Sequence, residues 1–374
     1  MKRIIAFFMS VYITVASFFS GLFGVRKPAP DDPPAPEIAV EAPSAVDPSK
    51  GQVFVYRENR LAEGVTPTAD GQLLCAWSFL KKIHTKKSDD GGQTWTKYRV
   101  AAAAEGLNCT NASFFTFEGR LFLAYRATGE TEDGFYSSLR VSVSEKNGNS
   151  WDDHSIIIEN TESSGAFRGV WEPWLGEIDG KLVCLFSNDS SSVTTKQNIE
   201  MMTWDGERWG DRRVISNGEA HQSRDGMPAW CALQGGGYAC VIESTKYKDA
   251  GHPFAVQLLT SSDGRSWSEP KDIYIPAVNG ALAAAPQIAQ LADGRLVVTF
   301  QTDEDDPGEN EVSKLIYTSK TETANLLHAL FSAPTPIFTD KTFAYSTWGR
   351  LYTDGKTLYY AAGTPLGATC NHFN

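Results

Sequence analysis

A polar turn that ends in glycine, followed at once by a run of apolar residues, recurs six times along this chain. The runs have the length and composition of β-strands, as in RLFLAYR after the second turn and RLVVTFQ after the fifth. A turn of this kind ahead of an apolar strand is typical of a β-hairpin. The six turns end at Gly71, Gly119, Gly180, Gly236, Gly294 and Gly355, which are 48 to 61 residues apart. Six hairpins at this spacing predict six units of about four strands each, an all-β fold arranged as a six-bladed β-propeller.

A second turn motif follows the hairpin in most units. The segment Ser88–Trp95 matches the Asp-box, Ser-x-Asp-x-Gly-x-Thr-Trp, of sialidase-type propellers, and weaker copies lie at 144–151, 203–209 and 260–267. In this motif the Asp accepts hydrogen bonds from its own turn, the Gly adopts a positive φ and the Trp packs between blades. The motif therefore supports the fold, and it says little about activity.

The residues before the first unit predict export rather than further folded structure. Lys2 and Arg3 precede an apolar run over residues 4–23, so we expect residues 1–26 to be a signal peptide or an N-terminal membrane anchor. Residues 27–50 are rich in proline and predict a semi-extended linker. The propeller then occupies residues 51–374, and the strand-like segment 52–57 is expected to close the sixth blade as its outer strand. The protein is expected to be secreted or tethered to the outer side of a membrane.

Composition excludes several classes of function. The chain has 34 Lys and Arg against 45 Asp and Glu, a formal charge of −11, which argues against binding to nucleic acid. The six His are scattered, so no metal site is expected, and no nucleotide or dinucleotide motif indicates a cofactor. The six Cys predict at most one or two disulfides. A closed propeller needs no partner to fold, so we expect a monomer.

Strand alternation indicates where the candidate chemistry lies. If the hairpin turns and Asp-boxes share one end of the propeller, the starts of the innermost strands and the ends of the second strands share the other. The innermost strands are expected to start at 65–68, 109–112, 171–174, 226–229, 284–287 and 345–348. Glu172 then opens the third blade, and Glu243 ends the second strand of the fourth. Two facing carboxylates are what glycoside hydrolysis requires, although a single Glu at a strand end is more often a solvated residue or the partner of an Arg.

The same end carries further polar and aromatic side chains that are candidates for binding a sugar. Arg224 and Asp225 could equally form a buried structural ion pair. The substrate-binding candidates are Arg126, Arg168, Trp171, Trp174, Arg224, Asp225 and Trp348, with Tyr345 as a further candidate for the chemistry.

These motifs resemble the sialidase superfamily and, within it, glycoside hydrolase family 93. The most specific segments are GVWEPW at 169–174, SRDGMP at 223–228 with YACVIE at 238–243, and the stretch 285–304. The resemblance implies a retaining exo-α-1,5-L-arabinanase that releases arabinobiose from the ends of linear arabinan. It also implies that Glu172 is the nucleophile and Glu243 the acid/base.

Two alternatives remain open. The segment 343–348 resembles the tyrosine region of sialidases, so Tyr345 with Glu243 could be a sialidase pair, although 56–61 lacks the Arg-Ile-Pro signature of true sialidases. A carbohydrate-binding propeller without catalytic activity is the other alternative, because the Asp-box also occurs in propellers that catalyse nothing.

Overall fold

Six antiparallel sheets of four strands each make up the protein, as the hairpin repeat predicts. In this computed structural model the described residues are 52–56, 61–190, 196–318, 323–338 and 344–373. The predicted export segment (1–26) and linker (27–50) lie outside them. The six four-stranded sheets confirm the predicted six-bladed β-propeller.

The strands follow one order in every blade, from the innermost to the outer strand. The innermost strands are β2 (Ala62–Pro67), β6 (Asn108–Phe117), β10 (Val170–Ile178), β14 (Asp225–Ala232), β18 (Ala283–Gln290) and β22 (Thr347–Thr353). The second strands are β3 (Leu73–Phe79), β7 (Arg120–Thr131), β11 (Lys181–Asn188), β15 (Tyr238–Ser244), β19 (Leu296–Thr302) and β23 (Leu358–Thr364). The third strands are β4 (Lys82–Ser88), β8 (Gly134–Ser144), β12 (Asn198–Trp204), β16 (Ala255–Ser261), β20 (Val312–Tyr317) and β24 (Gly367–Phe373). The outer strands are β5 (Arg99–Ala103), β9 (Asp152–Glu162), β13 (Trp209–Ser216), β17 (Lys271–Tyr274), β21 (Thr335–Pro336) and β1 (Gln52–Tyr56).

The sixth blade is completed by a strand from the other end of the described chain. Strand β1 pairs antiparallel with β24, so that Gln52 lies opposite Cys370 and Tyr56 opposite Gly367. The outer strand predicted at 52–57 is thereby confirmed. The innermost strands also contact one another in a ring, because β2 touches both β6 and β22. Each innermost strand is the end strand of its sheet, and its neighbours in the ring protect that short edge.

The conformation of the hairpin turns explains why the repeat ends in glycine. In the second and third blades both central residues of the turn have a positive φ, Glu118 and Gly119 at 49° and 73°, Asp179 and Gly180 at 51° and 70°. Such turns match the twist of the strands that they join, and their second position favours glycine. The pattern of a polar residue followed by glycine therefore reflects the positive φ angles that these turns require.

The turns between third and outer strands are held by their own side chains. Asp90 Oδ1 accepts from the Thr94 N–H at 2.8 Å, and Ser88 Oγ accepts from the Gly92 N–H at 2.7 Å. In the fourth blade Asp263 Oδ1 accepts from the N–H groups of Arg265 and Ser266, both at 2.8 Å. These turns connect the same ends of the strands as the hairpins do, so the opposite end of the propeller is left for other connections.

Tryptophan pairs and glycines bring neighbouring blades together. Between the third and fourth blades the Trp174 indole donates to the Trp230 carbonyl at 3.0 Å, and the Trp230 indole donates to the Trp174 carbonyl at 3.3 Å. A Cβ on Gly176 would lie 2.4 Å from a ring carbon of Trp230. Only glycine fits there because the buried indole occupies that space.

We expect Gly176→Ala to destabilise the protein, because the new methyl group must displace the hydrogen-bonded Trp230 ring. Overpacking of this kind costs about 1–3 kcal/mol, which chemical denaturation would measure. Gly210→Ala is the matched control, since a Cβ there meets nothing within 4 Å. Equal losses of stability in the two variants would contradict this account of the blade contact.

The described part of the chain has few other elements. One short helix, α1 (Gly218–His221), and two 3₁₀ turns, Lys248–Ala250 and Thr323–His328, lie in connections between strands. All six cysteines are free thiols, and five of them are buried. Within the described ranges, no helix is both long enough and apolar enough to cross a membrane.

Candidate functional site

A β-bulge interrupts every innermost strand close to its start. In five blades the bulge holds a residue other than glycine with φ between 44° and 57°. These five residues are Asn111, Glu172, Met227, Ala285 and Trp348. A positive φ is unfavourable for side-chain-bearing residues, and such strain concentrates at functional sites, where bulges redirect side chains. The end of the propeller opposite the hairpin turns is therefore the candidate functional end.

Hydrogen bonds between blades fix these bulges. Each runs from the N–H of a bulged residue to a side chain near the end of the second strand in the preceding blade. The pairs are Met227 with Ser187 Oγ at 3.1 Å, Ala285 with Glu243 Oε2 at 2.9 Å and Trp348 with Gln301 Oε1 at 2.7 Å. Since a hydroxyl or an amide makes the same bond in neighbouring blades, this structural role does not require a carboxylate at position 243.

Glu243 is almost completely buried, with 1% of its surface exposed. Its Oε1 lies 3.4 Å from Nη1 of Arg224, and Gly226 opposite it leaves space that a Cβ would fill at 2.9 Å from Oε1. Burial raises the pKa of Glu243 to about 6, and the charge of Glu172 acts in the same direction, against Arg224 and the Ala285 N–H. This carboxyl group can therefore hold or release a proton near neutral pH.

Glu172 lies at the same end in the adjacent blade, as strand alternation predicts. A short series of contacts connects it to Glu243. Its neighbour Trp171 lies opposite Ser187 in the sheet, and the Ser187 hydroxyl accepts a hydrogen bond from the Met227 N–H. Gly226, which precedes Met227, lies opposite Glu243. Glu172 is 7% exposed, and within the described part of the chain its buried Oε2 has no hydrogen-bond partner. A carboxylate oxygen without a protein partner, close to a second carboxyl group, is suited to act on a bound molecule.

A buried arginine and a third glutamate adjoin the pair. Arg350 donates from Nε to the backbone oxygen of Glu63 at 3.0 Å, and the charges of Glu63 and Glu172 both act on its guanidinium. Glu63 is buried, and burial raises the pKa of its carboxyl group. The Arg350 guanidinium therefore places a buried positive charge next to both glutamates.

Sequence reasoning missed Glu63 because the start of the first blade was misaligned. The expected start of the first innermost strand, 65–68, is wrong, because Pro67 is the last residue of β2. The strand begins at Ala62 and its register shifts between Ala62 and Gly64, so Glu63 occupies the bulge. In the sequence, the feature that could have indicated this bulge is Glu63 directly before Gly64.

Besides the two glutamates, five predicted site residues lie at the candidate end: four binding candidates and Tyr345, the further candidate for the chemistry. Arg126 donates to Thr110 Oγ1 at 3.2 Å, and Arg168 forms an ion pair with Glu162 at 3.0 Å. Arg224 contacts Glu243, as described above. Tyr345 and Trp348 are half-buried beside the start of β22.

Of the other three predicted binding residues, Trp171 and Asp225 are buried and Trp174 is half-buried. Trp171 is 5% exposed, and its indole donates to Asp189 at 2.9 Å. Trp174 packs between blades against Trp230. Asp225 is buried and accepts hydrogen bonds from three serine hydroxyls, Ser216, Ser223 and Ser244, instead of forming an ion pair with Arg224.

Two further acidic groups join the site from loops. Asp189, directly after β11, has its pKa raised by burial and accepts from the Gly169 N–H at 2.6 Å. Burial, with the charges of Asp303 and Glu243, raises the pKa of Glu311 to about 7. No repeat position marks either residue, because both loops differ in length from blade to blade. No group of three or more His, Cys, Asp or Glu is arranged to hold a metal ion in the described ranges.

Comparison with known proteins gives similarity in structure alone. No family model matches the chain, and no curated protein matches it in sequence. An α-L-arabinanase of Penicillium chrysogenum, solved with arabinobiose, has a TM-score of 0.65 and 17% identity, and the match covers 87% of this chain and 96% of that one. An α-L-arabinofuranosidase of glycoside hydrolase family 93 from Fusarium graminearum, also solved with arabinobiose, gives the same score and identity over 86% and 95%.

A more distant likeness is to a sialidase of Streptococcus pneumoniae, with a TM-score of 0.60 and 11% identity over 86% of this chain and 70% of that one. At 11–17% identity, these likenesses show a shared fold. The sialidase-type propeller predicted from the motifs, with its similarity to glycoside hydrolase family 93, is confirmed at that level.

Proposed function

We propose that this protein is a retaining exo-glycosidase, of the exo-α-1,5-L-arabinanase type, which releases arabinobiose from linear arabinan. The observation that carries the proposal is the pair of buried glutamates in adjacent blades. One has a pKa raised to about 6, and the other lies beside a buried arginine. Glu243 is therefore the group suited to act as the acid, and Glu172, with its unpartnered oxygen, is the group assigned to attack the sugar.

In the proposed reaction Glu243 begins protonated and Glu172 ionised. Glu172 attacks the anomeric carbon, and Glu243 gives its proton to the departing glycosidic oxygen, so that a glycosyl-enzyme ester forms as the glycosidic bond breaks. Glu243, now ionised, takes a proton from water, whose oxygen attacks the anomeric carbon and releases Glu172. Both carboxyl groups return to their starting states, and the sugar keeps its anomeric configuration.

The pH dependence follows from the acid. Since Glu243 must be protonated for the first step, we expect kcat/KM to fall tenfold per pH unit above an apparent pKa of about 6. A profile of kcat/KM between pH 3 and 9 would measure this limb. An activity that stays constant up to pH 8 would contradict the assignment of Glu243 as the acid.

The experiment that tests the function is a product analysis on linear α-1,5-arabinan. Release of arabinobiose from chain ends, with the first-formed anomer in the α configuration by NMR, supports the proposal. Release of products with the opposite anomer would overturn the retaining mechanism. No release would overturn the activity as a whole.

A sialidase is the second candidate, favoured by the position of Tyr345 at the same end of the propeller as Glu243. Its activity would require arginines that converge on a substrate carboxylate. The arginines of this end instead contact separate groups, with Arg126 over the ring of Trp171, Arg224 at Glu243 and Arg350 at Glu63. Hydrolysis of sialyllactose, abolished by Tyr345→Phe, would favour this candidate. Binding of arabinan without hydrolysis would favour a binding propeller.

We also propose that the protein acts outside the cell, as a monomer. The charged and apolar residues at 2–23 support export, and a polysaccharide substrate is itself extracellular.

A further inference from the structure

We propose that Phe167 is a stacking platform for the part of the substrate that extends beyond the cleaved bond, an inference that rests on the proposed function. Its side chain is 56% exposed, although large aromatic residues are usually buried. It lies in the segment 163–169, which joins the outer strand β9 of the second blade to the innermost strand β10 of the third. This connection crosses the candidate end of the propeller.

The Phe167 ring rests on a continuous aromatic base. Its centroid lies 4.3 Å from that of Phe135 and 5.1 Å from that of Trp171. Phe135 and Trp171 stack on each other at 5.9 Å and are both buried, so the exposed surface of the cluster belongs to Phe167. A single exposed apolar side chain is ordinary on a protein surface. Here, however, the exposed ring is held on a buried aromatic base, and aromatic side chains of this kind are common in the lining of ligand sites.

The segment that carries Phe167 is fastened on both sides. Glu162 accepts from the Ser164 N–H at 2.8 Å and pairs with Arg168 at 3.0 Å. Beyond Arg168, the Gly169 N–H donates to Asp189, and a Cβ on Gly169 would lie 2.3 Å from Ser137 Oγ. Because the loop is fixed before a ligand arrives, little conformational entropy is lost when a sugar ring packs on Phe167.

The position of Phe167 relative to the glutamates indicates which part of the substrate it touches. Phe167 is five positions before Glu172 in the sequence, so their Cα atoms lie no more than about 18 Å apart. Trp171, which adjoins Glu172 in sequence, connects the two positions through its contact with Phe167. An exo-acting enzyme holds the chain end at the buried glutamates, and the rest of the chain leaves over the exposed rim. Phe167 therefore binds the leaving side of the chain.

The test compares affinities for a long and a short ligand without turnover. The full chain carrying Glu243→Gln, with and without Phe167→Ala, would be titrated with α-1,5-arabinohexaose and with arabinobiose by calorimetry. We expect Phe167→Ala to weaken hexaose binding about three- to tenfold and to leave arabinobiose binding unchanged. The Phe167→Tyr variant, which keeps an aromatic ring, should bind the hexaose as tightly as the protein that has Phe167.

Tyr98→Ala is the matched control, because Tyr98 is an aromatic residue with similar exposure, 62%, in the first blade. It should leave both affinities unchanged. Equal weakening for both ligands, no weakening, or no hexaose binding before the substitution would each overturn the inference. Hexaose binding that depends on Phe167, in a wild-type protein that releases no product, would overturn the proposed function and leave the platform in place.

Discussion

Replacing Glu172 by glycine is expected to lower kcat on linear arabinan about 10⁴-fold or more while the protein stays folded. Losses of this size follow removal of a catalytic nucleophile. Glycine is the appropriate substitution because Glu172 has φ +44°, a conformation that glycine adopts without strain. The variant loses the attraction between Glu172 and Arg350, but it also removes a buried carboxylate that has an unpartnered oxygen, so the protein should stay folded.

A small anion should restore part of the activity of the Glu172→Gly variant. Azide can enter the space left by the carboxylate and attack the anomeric carbon, which gives a glycosyl azide of inverted configuration. Asn111→Gly is the matched control, because Asn111 has φ +57° at the same bulge in the second blade. It should change kcat by less than a factor of a few. Full activity of the Glu172→Gly variant would contradict the assignment of Glu172 as the nucleophile.

Replacing Glu243 by glutamine is expected to lower kcat/KM about 10²- to 10⁴-fold, the usual contribution of a general acid or base. The fold should be unaffected, because the amide oxygen can accept from the Ala285 N–H as Gln301 does from Trp348 one blade further on. Aryl glycosides with good leaving groups should lose less activity than arabinan, since their first step needs less help from an acid. An equal loss on both kinds of substrate would contradict this role.

The same substitution has a calculable effect on stability. The folded-state pKa of Glu243, about 6, lies above its ordinary value of 4.5, so the folded state retains a proton that the unfolded state has lost between these pH values. The wild-type protein therefore loses up to about 2 kcal/mol of stability as pH rises from 4.5 to 6, and Glu243→Gln should not. Thermal unfolding of both proteins at pH 4 and pH 7 would measure the difference.

Glu200 provides the contrasting control for Glu243. It is also a buried glutamate, but it lies in the third strand of the third blade, where Arg212 donates to both of its oxygens, at 2.5 and 2.9 Å. Glu200→Gln should cost about 1–3 kcal/mol of stability, because it breaks this paired contact. It should leave kcat/KM unchanged, so the two glutamates are expected to show opposite patterns.

The fold was predictable because its turns have strict conformational requirements. A positive φ restricts the hairpin turns to glycine and polar residues, so the repeat remains visible even where the strands differ. The positions of Glu172 and Glu243 followed from the same repeat, since strand alternation relates every blade to the same two ends. The inter-blade bond from Ala285 to Glu243 was not predictable, because it depends on contacts between units rather than within one.

The surroundings of the two glutamates were harder to predict. In the third, fourth and fifth blades a proline follows the bulged residue, whereas in the first blade the proline ends the strand. The pattern that places Glu172 therefore does not reveal Glu63. Glu311 and Asp189 enter from loops that no repeat describes. Phe167 and Trp171 show the limit of reading side chains by type, because their sequence environments do not reveal which of them is buried.

The pairing of β1 with β24 has a consequence for how the protein is made. More than 300 residues separate β1 from β24 in the sequence, so the sixth blade cannot be completed until β24 has left the ribosome. Until β24 is in place, β1 and β23 each have an unpaired edge. Unpaired strand edges are surfaces that promote aggregation. Synthesis and completion of the sixth blade are thus coupled. A chain truncated before Gly367 would keep the contact of β22 with β2, but its sixth blade would lack β24 and strand β1 would have no strand to pair with.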